Sequence, residues 1–234
     1  MIAPLGDTAL VIRVGTQIDE PTRRRVRAIA RVLEDARIPG AADVVPGFTT
    51  VTVHYDPARV HAPDDPALAP YDLMHRHISS VLESVVDDAL IDGASVEIPI
   101  CYGGEFGPDL EHVASYTGLS EAGVIDLHST AEYRVHLLGF LPGFPYLGGM
   151  DPRLATPRRG TPRTTVPAGS VGIGGAQTGV YPLESPGGWQ LIGRSPVILF
   201  DPLRSPPTLL AAGDLVRFRA IDRREYDLLF RSRM

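Results

Sequence analysis

The residues best suited to chemistry gather in one stretch, Gly139 to Pro196, which reads GFLPGFPYLGGMDPRLATPRRGTPRTTVPAGSVGIGGAQTGVYPLESPGGWQLIGRSP. Inside it Arg158, Arg159 and Arg163 stand in a loop framed by proline and glycine, TPRRGTPRT. A guanidinium presents a planar fork of donors that fits a carboxylate or phosphate bidentately, so this loop reads as an anion clamp. Tyr146, Gln177, Tyr181 and Trp189 could line the same pocket. The competing reading is of exposed loop arginines and core aromatics. Loops carried by a rigid β scaffold are where binding residues concentrate, and this stretch has that grammar. Glycine supplies positive φ, proline fixes φ near turn values, and short apolar groups such as Val171 with Ile173 or Leu191 with Ile192 lie between them.

Other candidate constellations are weaker. Gly172-Ile-Gly174-Gly-Ala-Gln177 has Gln where a dinucleotide fingerprint needs its third glycine. Ala168-Gly-Ser170-Val-Gly172 begins with Ala where a nucleophile elbow has Gly. Glu105, Asp109, Glu111 and His112 could form a metal or acid–base cluster. Asp109 and Glu111 also suit the first turn of a helix, where carboxylates favour the macrodipole, and no metal is expected. Cys101 reads as an inert thiol with no basic group near it in sequence.

Composition narrows the chemistry further. The chain has 234 residues, 44% hydrophobic, and a net charge of −6, which disfavours nucleic acid as a partner. No apolar run is long enough to span a membrane, and Asp7 interrupts the first apolar segment before a signal core can form. A single cysteine permits no internal disulfide, so a reducing, cytoplasmic setting is expected. All 22 basic residues counted as Lys or Arg are arginine. Without lysine the chain cannot form a Schiff base, carry biotin, supply a P-loop lysine or complete a Ser–Lys amidase. Anions must be met by Arg, backbone N–H groups or another chain.

The elements that position these residues fall into two parts. Ala9–Val14 reads as a strand. Asp19 or Thr22 opens a helix to about Ala36, with Val26, Ile29, Ala30 and Leu33 on one face and Arg23, Arg24, Arg25 and Arg27 on the other. Two antiparallel strands follow within Asp43–Tyr55, then a proline-rich loop from Ala62 to Pro70. A helix is expected over Tyr71–Leu90, with Leu73, Ile78, Val81, Leu82 and Val85 inward, and a strand over Val96–Ile100. This β-α-β-β-α-β order over residues 1–100 is that of the ferredoxin-like split unit. Residues 101–234 form the second part. Pro108-Asp109 opens a short helix and Ser120 another, to about His128. Strands are expected at Tyr133–Leu138, Val197–Phe200 and Leu215–Phe218, and the charged tail from Ile221 is a frayed helix or an extension.

The segments CYGGEFGPDLEHVA, EYRVHLLGFLPGFPYLGGMDPRL, TPRTTVPAGSVGIGGAQTGVYPLESPGGWQLIGRSP and LFDP, with PLGDTALVIRVG and PGFTTVTVHYDP, resemble those of the KipI / allophanate hydrolase subunit 1 family over nearly the whole chain. The resemblance implies an α+β protein, with a ferredoxin-like N-terminal domain followed by a cyclophilin-like β-barrel. It implies a KipG / allophanate hydrolase subunit 2-like partner, the pair resembling the carboxyltransferase region of urea carboxylase, and a third, lactam-utilisation (LamB-like) subunit. The function implied is that of one subunit of an ATP-dependent 5-oxoprolinase with little activity alone. The alternatives are inhibition of a histidine kinase, or a carboxyltransferase half-site acting on urea or another amide. In the 5-oxoprolinase reading, Arg158, Arg159, Arg163 and Arg194 would neutralise phosphate or substrate carboxylate. Gly143, Gly169, Gly174 and Gly175 would let backbone donors approach, and Phe144, Tyr146, Gln177 and Tyr181 would shape the pocket.

Overall fold

A computed structural model of the chain describes residues 1–17, 19–60, 68–83 and 93–232. The chain divides into two compact units, Met1–Ile91 and Asp92–Met234. In the first, β1 (Ile2–Pro4), β2 (Ala9–Arg13), β3 (Ala41–Pro46) and β4 (Thr50–Tyr55) form an antiparallel sheet in the order β1-β2-β4-β3. Helix α1 (Glu20–Ala36) starts where the Asp19 side chain accepts from Thr22 N–H, and stops where Arg37 turns left-handed. Its Val26, Ile29, Ala30 and Leu33 recur at helical spacing and are all buried, as expected. They meet Leu10, Ile12, Val51 and Val53 of the sheet, and Leu73, Met74 and Ile78 of helix α2 (Pro70–Leu82). The helix ends at the cap residue Glu83, and the rest of the expected second helix from residue 84 on, Val85 included, lies outside the described residues.

The strand expected to close this unit belongs to the other one. Val96–Ile100 is the middle of β5 (Ser95–Tyr102), which pairs in parallel with β13 (Leu215–Ala220) and antiparallel with β12 (Gln190–Arg194). Its run from Ile98 to Cys101 is buried without alternation, as a strand covered on both faces requires.

The second unit also contains α3 (Leu110–Thr117), α4 (Glu121–Thr130), β6 (Glu132–Leu138) and β7 (Pro145–Gly148). After them come β8 (Arg163–Val166), β9 (Ser170–Gly174), β10 (Gln177–Val180) and β11 (Ser185–Gly187), and α5 (Arg223–Ser232) ends the described chain. Seven strands close into a barrel in the order β10-β7-β6-β13-β5-β12-β9, while β8 and β11 form a separate two-stranded ribbon. Closure removes the sheet edges that would otherwise invite pairing with other chains. The barrel is filled by Ile98, Ile100, Tyr133, Val135, Leu147, Val171, Ile173, Val180, Ile192, Val216 and Phe218.

One expectation needs correction, and one alternative is decided. Val197–Phe200 is not a ladder strand: only Phe200 bridges, to Thr208. Pro196, Pro202, Pro206 and Pro207 flank it without amide hydrogens to extend a ladder. The charged tail is an ordered helix, with Tyr226 buried 4.3 Å from Phe106, centroid to centroid, beside Cys101 and Ile221.

Candidate functional site

The arginine loop is tied to the ribbon and to the start of β12. Arg163 is the first residue of β8 and pairs with Gly187 of β11. Arg159 N–H donates to Gly188 O at 2.7 Å, and Gln190 Nε2 donates to Pro157 O at 2.9 Å. These bonds set the loop beside Trp189. A cleft of about 300 Å³ opens there, walled by Phe140, Phe144, Tyr146, Tyr181 and Trp189, with Arg158 and Arg159 at its rim. Phe144 is the hub of the wall, 5.3 Å from Tyr181 and 5.5 Å from Trp189 in edge-to-face contacts. A second, more polar hollow shares Arg158 and Arg159, and is lined on its other side by Asp109, His112, Tyr116 and Thr161.

Asp109 organises the charge. Its Oδ1 accepts from Arg159 Nη1 at 3.1 Å and from Arg163 Nη2 at 2.7 Å, and its Oδ2 accepts from Leu191 N–H at 2.6 Å. The residue is only 5% exposed. Asp109 is the buried member, while Arg159 and Arg163 keep part of their side chains in solvent, so removing both arginines would leave a desolvated carboxylate, whereas an arginine that loses Asp109 is partly rehydrated. Arg158 differs: among the described residues it makes no ion pair, and its guanidinium lies 5.9 Å from the centre of the Trp189 ring. Burial raises the pKa of Tyr181, and the nearby Arg158 and Arg163 partly oppose that rise.

The expected site residues are therefore only partly gathered. Phe144, Tyr146, Arg158, Arg159 and Tyr181 line the cleft, and Arg163 stands behind it on Asp109. Gly174 leaves room for the Trp189 indole, since a Cβ there would come within 2.5 Å of its Nε1. Gly175, with φ +65°, is the first residue of the two-residue turn joining β9 to β10, and Gln177 follows that turn as the first residue of β10. Gly143 packs on Leu199 and Phe200, Gly169 on Ser195, and Arg194 donates to Ala168 O at 2.9 Å. Gln177, Gly143, Gly169 and Arg194 are not among the residues lining either hollow. The four residues Glu105, Asp109, Glu111 and His112 do not gather as ligands: no cluster of three or more His, Cys, Asp or Glu is found among the described residues. Cys101 is buried in β5, and burial raises its pKa despite the opposing charge of Arg223.

One polar group inside the barrel went unread in the sequence. His128, at the end of α4, is fully buried and stacks on Phe218 at 4.7 Å. The Thr178 hydroxyl donates to Gly172 O at 2.9 Å, so it accepts from His128 Nε2 at 2.9 Å. That assigns the proton to Nε2, leaving Nδ1 to accept from the Tyr102 hydroxyl at 2.8 Å. Burial lowers the His128 pKa to about 3. With every donor and acceptor matched, the network is a specifying element of the core.

Comparison with known proteins places this architecture. The family model described as Carboxyltransferase domain, subdomain C and D matches residues 1–210. A Bacillus subtilis protein, named as the B subunit of 5-oxoprolinase, is 49% identical over 96% of this chain and 94% of its own length. Its namesake in Haemophilus influenzae is 43% identical over 93% of this chain and 96% of its own. Among solved structures, TTHA0988 is 39% identical with a TM-score of 0.78; the match covers 95% of this chain but spans only 40% of that one. The urea amidolyase of Kluyveromyces lactis shares the fold at 19% identity and a TM-score of 0.78, over 99% of this chain and 15% of that one. The chain belongs to the family of carboxyltransferase subdomain C and D proteins, within which it is similar to the B subunits of 5-oxoprolinases.

Proposed function

We propose that this chain is a B-type subunit of a cytoplasmic, ATP-dependent 5-oxoprolinase, which converts 5-oxoproline, ATP and water into glutamate, ADP and phosphate together with other chains. The observation that carries this reading is the cleft beside Trp189, which joins an apolar wall to unneutralised arginine at its rim. Its volume lies at the small end of the range for ligand sites, roughly 300–1,000 Å³, which suits a five-membered lactam bearing one carboxylate. The naming of the curated relatives, similar over most of both chains, supports it.

The lactam amide is a poor electrophile, and ATP would supply the phosphoryl group that activates its carbonyl oxygen for attack by water. The residues of this chain bind and orient. Trp189 and Phe144 would hold the ring and exclude water, while Arg158, with Arg159 beside it in the same loop, would meet a substrate carboxylate or the charge developing on phosphoryl oxygens. The rest of the site would come from a subunit 2-like (KipG-like) partner and a lactam-utilisation (LamB-like) subunit. The match to 40% of TTHA0988 supports such a division, since the similar segment there is part of a longer chain. The same reading carries the ferredoxin-like label for the first unit and the cyclophilin-like label for the barrel.

A second reading, a carboxyltransferase half-site, is favoured by the description of the matching family. With no lysine in this chain, it needs a biotin-bearing partner. Co-expression with the two other subunits separates the readings. Glutamate released with stoichiometric ADP, only when this chain is present, supports the first. An assembled complex that releases none, yet carboxylates urea or another small amide from carboxybiotin, supports the second.

A further inference from the structure

We propose that Asp109 is the positioning residue of the arginine loop. It immobilises Arg159 and Arg163, so that Arg158 is the guanidinium left to take the anionic group of a ligand seated against Trp189. This rests on the reading of the cleft as the ligand site.

The argument starts from how completely Asp109 is committed. It immediately precedes α3, 50 and 54 residues away in sequence from the two arginines it holds. It is fixed to β12 twice over, by its own N–H donating to Leu191 O at 2.9 Å and by its Oδ2 accepting from Leu191 N–H at 2.6 Å. Leu191 lies in β12, whose first residue, Gln190, directly follows Trp189, so the carboxylate is anchored two residues along the chain from the indole that walls the cleft. From that anchor Oδ1 reaches both ends of the segment Arg159–Arg163.

The three arginines are then unequal. Arg163 is held at 2.7 Å with its side chain 22% exposed, and Arg159 at 3.1 Å with 38% exposed. Among the described residues Arg158 makes no ion pair, and its guanidinium lies 5.9 Å from the centre of the Trp189 ring. One carboxylate pairs with two of the three guanidiniums, which leaves positive charge in excess, and Arg163 Nη1 is buried without a hydrogen-bond partner among the described residues. A pocket of this character selects an anion, and the arginine not already spent receives it. Asparagine at position 109 would keep the shape but offer one acceptor oxygen. Its NH₂ would have to face either Leu191 N–H or the arginine pair, donor against donor.

Trp189 is the sole tryptophan of the chain and reports on the cleft directly. The test titrates the full chain with 5-oxoproline and, separately, inorganic phosphate, following Trp189 emission in wild type, D109N, R158Q and the double variant. Amide hydrogen exchange over residues 157–163 is measured in parallel. We expect R158Q to weaken 5-oxoproline binding about tenfold or more, as loss of a charged hydrogen bond does. D109N should weaken it comparably, and the double variant should be no weaker than R158Q, because Asp109 acts through Arg158. Exchange over 157–163 should rise about tenfold in D109N but not in R158Q, with residues 171–174 unchanged in both.

Affinity losses that multiply in the double variant, or unchanged exchange in D109N, overturn the proposal. If neither probe alters Trp189 emission in the wild-type chain, the ligand reading and the role of Arg158 both fall, and exchange alone then decides whether Asp109 holds the loop. Should D109N not fold, R163Q cuts the tighter arm while leaving the Asp109–Leu191 pair, and carries the same expectations.

Discussion

Acidification from pH 7 to pH 5 should cost the barrel unit about 2 kcal/mol through His128 alone. The ring is completely buried, and that burial holds its pKa at about 3 against an ordinary 6.5. In the folded chain it stays neutral, while in the unfolded chain it takes up a proton below 6.5. The unfolded state therefore binds more protons between the two values. The stabilisation is fully present above 6.5 and is lost progressively as pH falls towards 3, by up to about 1.4 kcal/mol per pH unit. Urea titrations followed by Trp189 emission report on this unit, since the only tryptophan lies in it. With a slope near 2 kcal/mol per molar urea, the midpoint should fall by about 1 M between pH 7 and pH 5. The His128→Gln variant keeps a polar side chain that does not titrate. It should be less stable at pH 7 but should lose most of this pH dependence. A wild-type midpoint indifferent to pH over this range, or an equal slope in the variant, would refute the protonation argument.

Further expectations follow from the same contacts. Gly174→Ala should displace the Trp189 indole, shift its emission and lower stability by about 1–3 kcal/mol, read by fluorescence and thermal melting. Asp214 is 7% exposed and accepts from Ala94 N–H at 2.9 Å and Ala211 N–H at 2.8 Å. Asp214→Ala should cost about 2 kcal/mol or more by urea titration, as two backbone donors lose their acceptor. Ser120 caps α4 by accepting from Gly123 N–H at 3.0 Å, and Ser120→Ala should cost about 1 kcal/mol in the same assay.

What could be read in the sequence was what rests on local physics. The Asp19 cap and the spacing from Val26 to Leu33 are short-range, and helix α1 matches its expectation closely; that Arg37 ends it in a left-handed turn is known only from the structure. The alternation from Thr50 to Tyr55 marked β4 and its buried face. What could not be read was partnership. A run such as Val96–Ile100 announces a strand but not its sheet, and its partner here begins at Leu215. Asp109 had the appearance of a first-turn carboxylate because its arginines lie 50 residues and more along the chain. His128 read as the end of a helix because Tyr102 and Thr178 reach it only once the barrel closes. The arginine loop and aromatics were legible as a pocket. Their unequal roles were not, since these depend on which guanidiniums a distant carboxylate already holds.

The most direct test of the account is glutamate release from 5-oxoproline and ATP by the reconstituted complex, comparing wild-type chain with R158Q and verifying assembly by size-exclusion chromatography. The account predicts ATP-dependent glutamate from the wild-type complex and a loss of about tenfold or more in kcat/KM for 5-oxoproline with R158Q, in complexes that assemble equally. Full activity with R158Q, or none from an assembled wild-type complex, would contradict it.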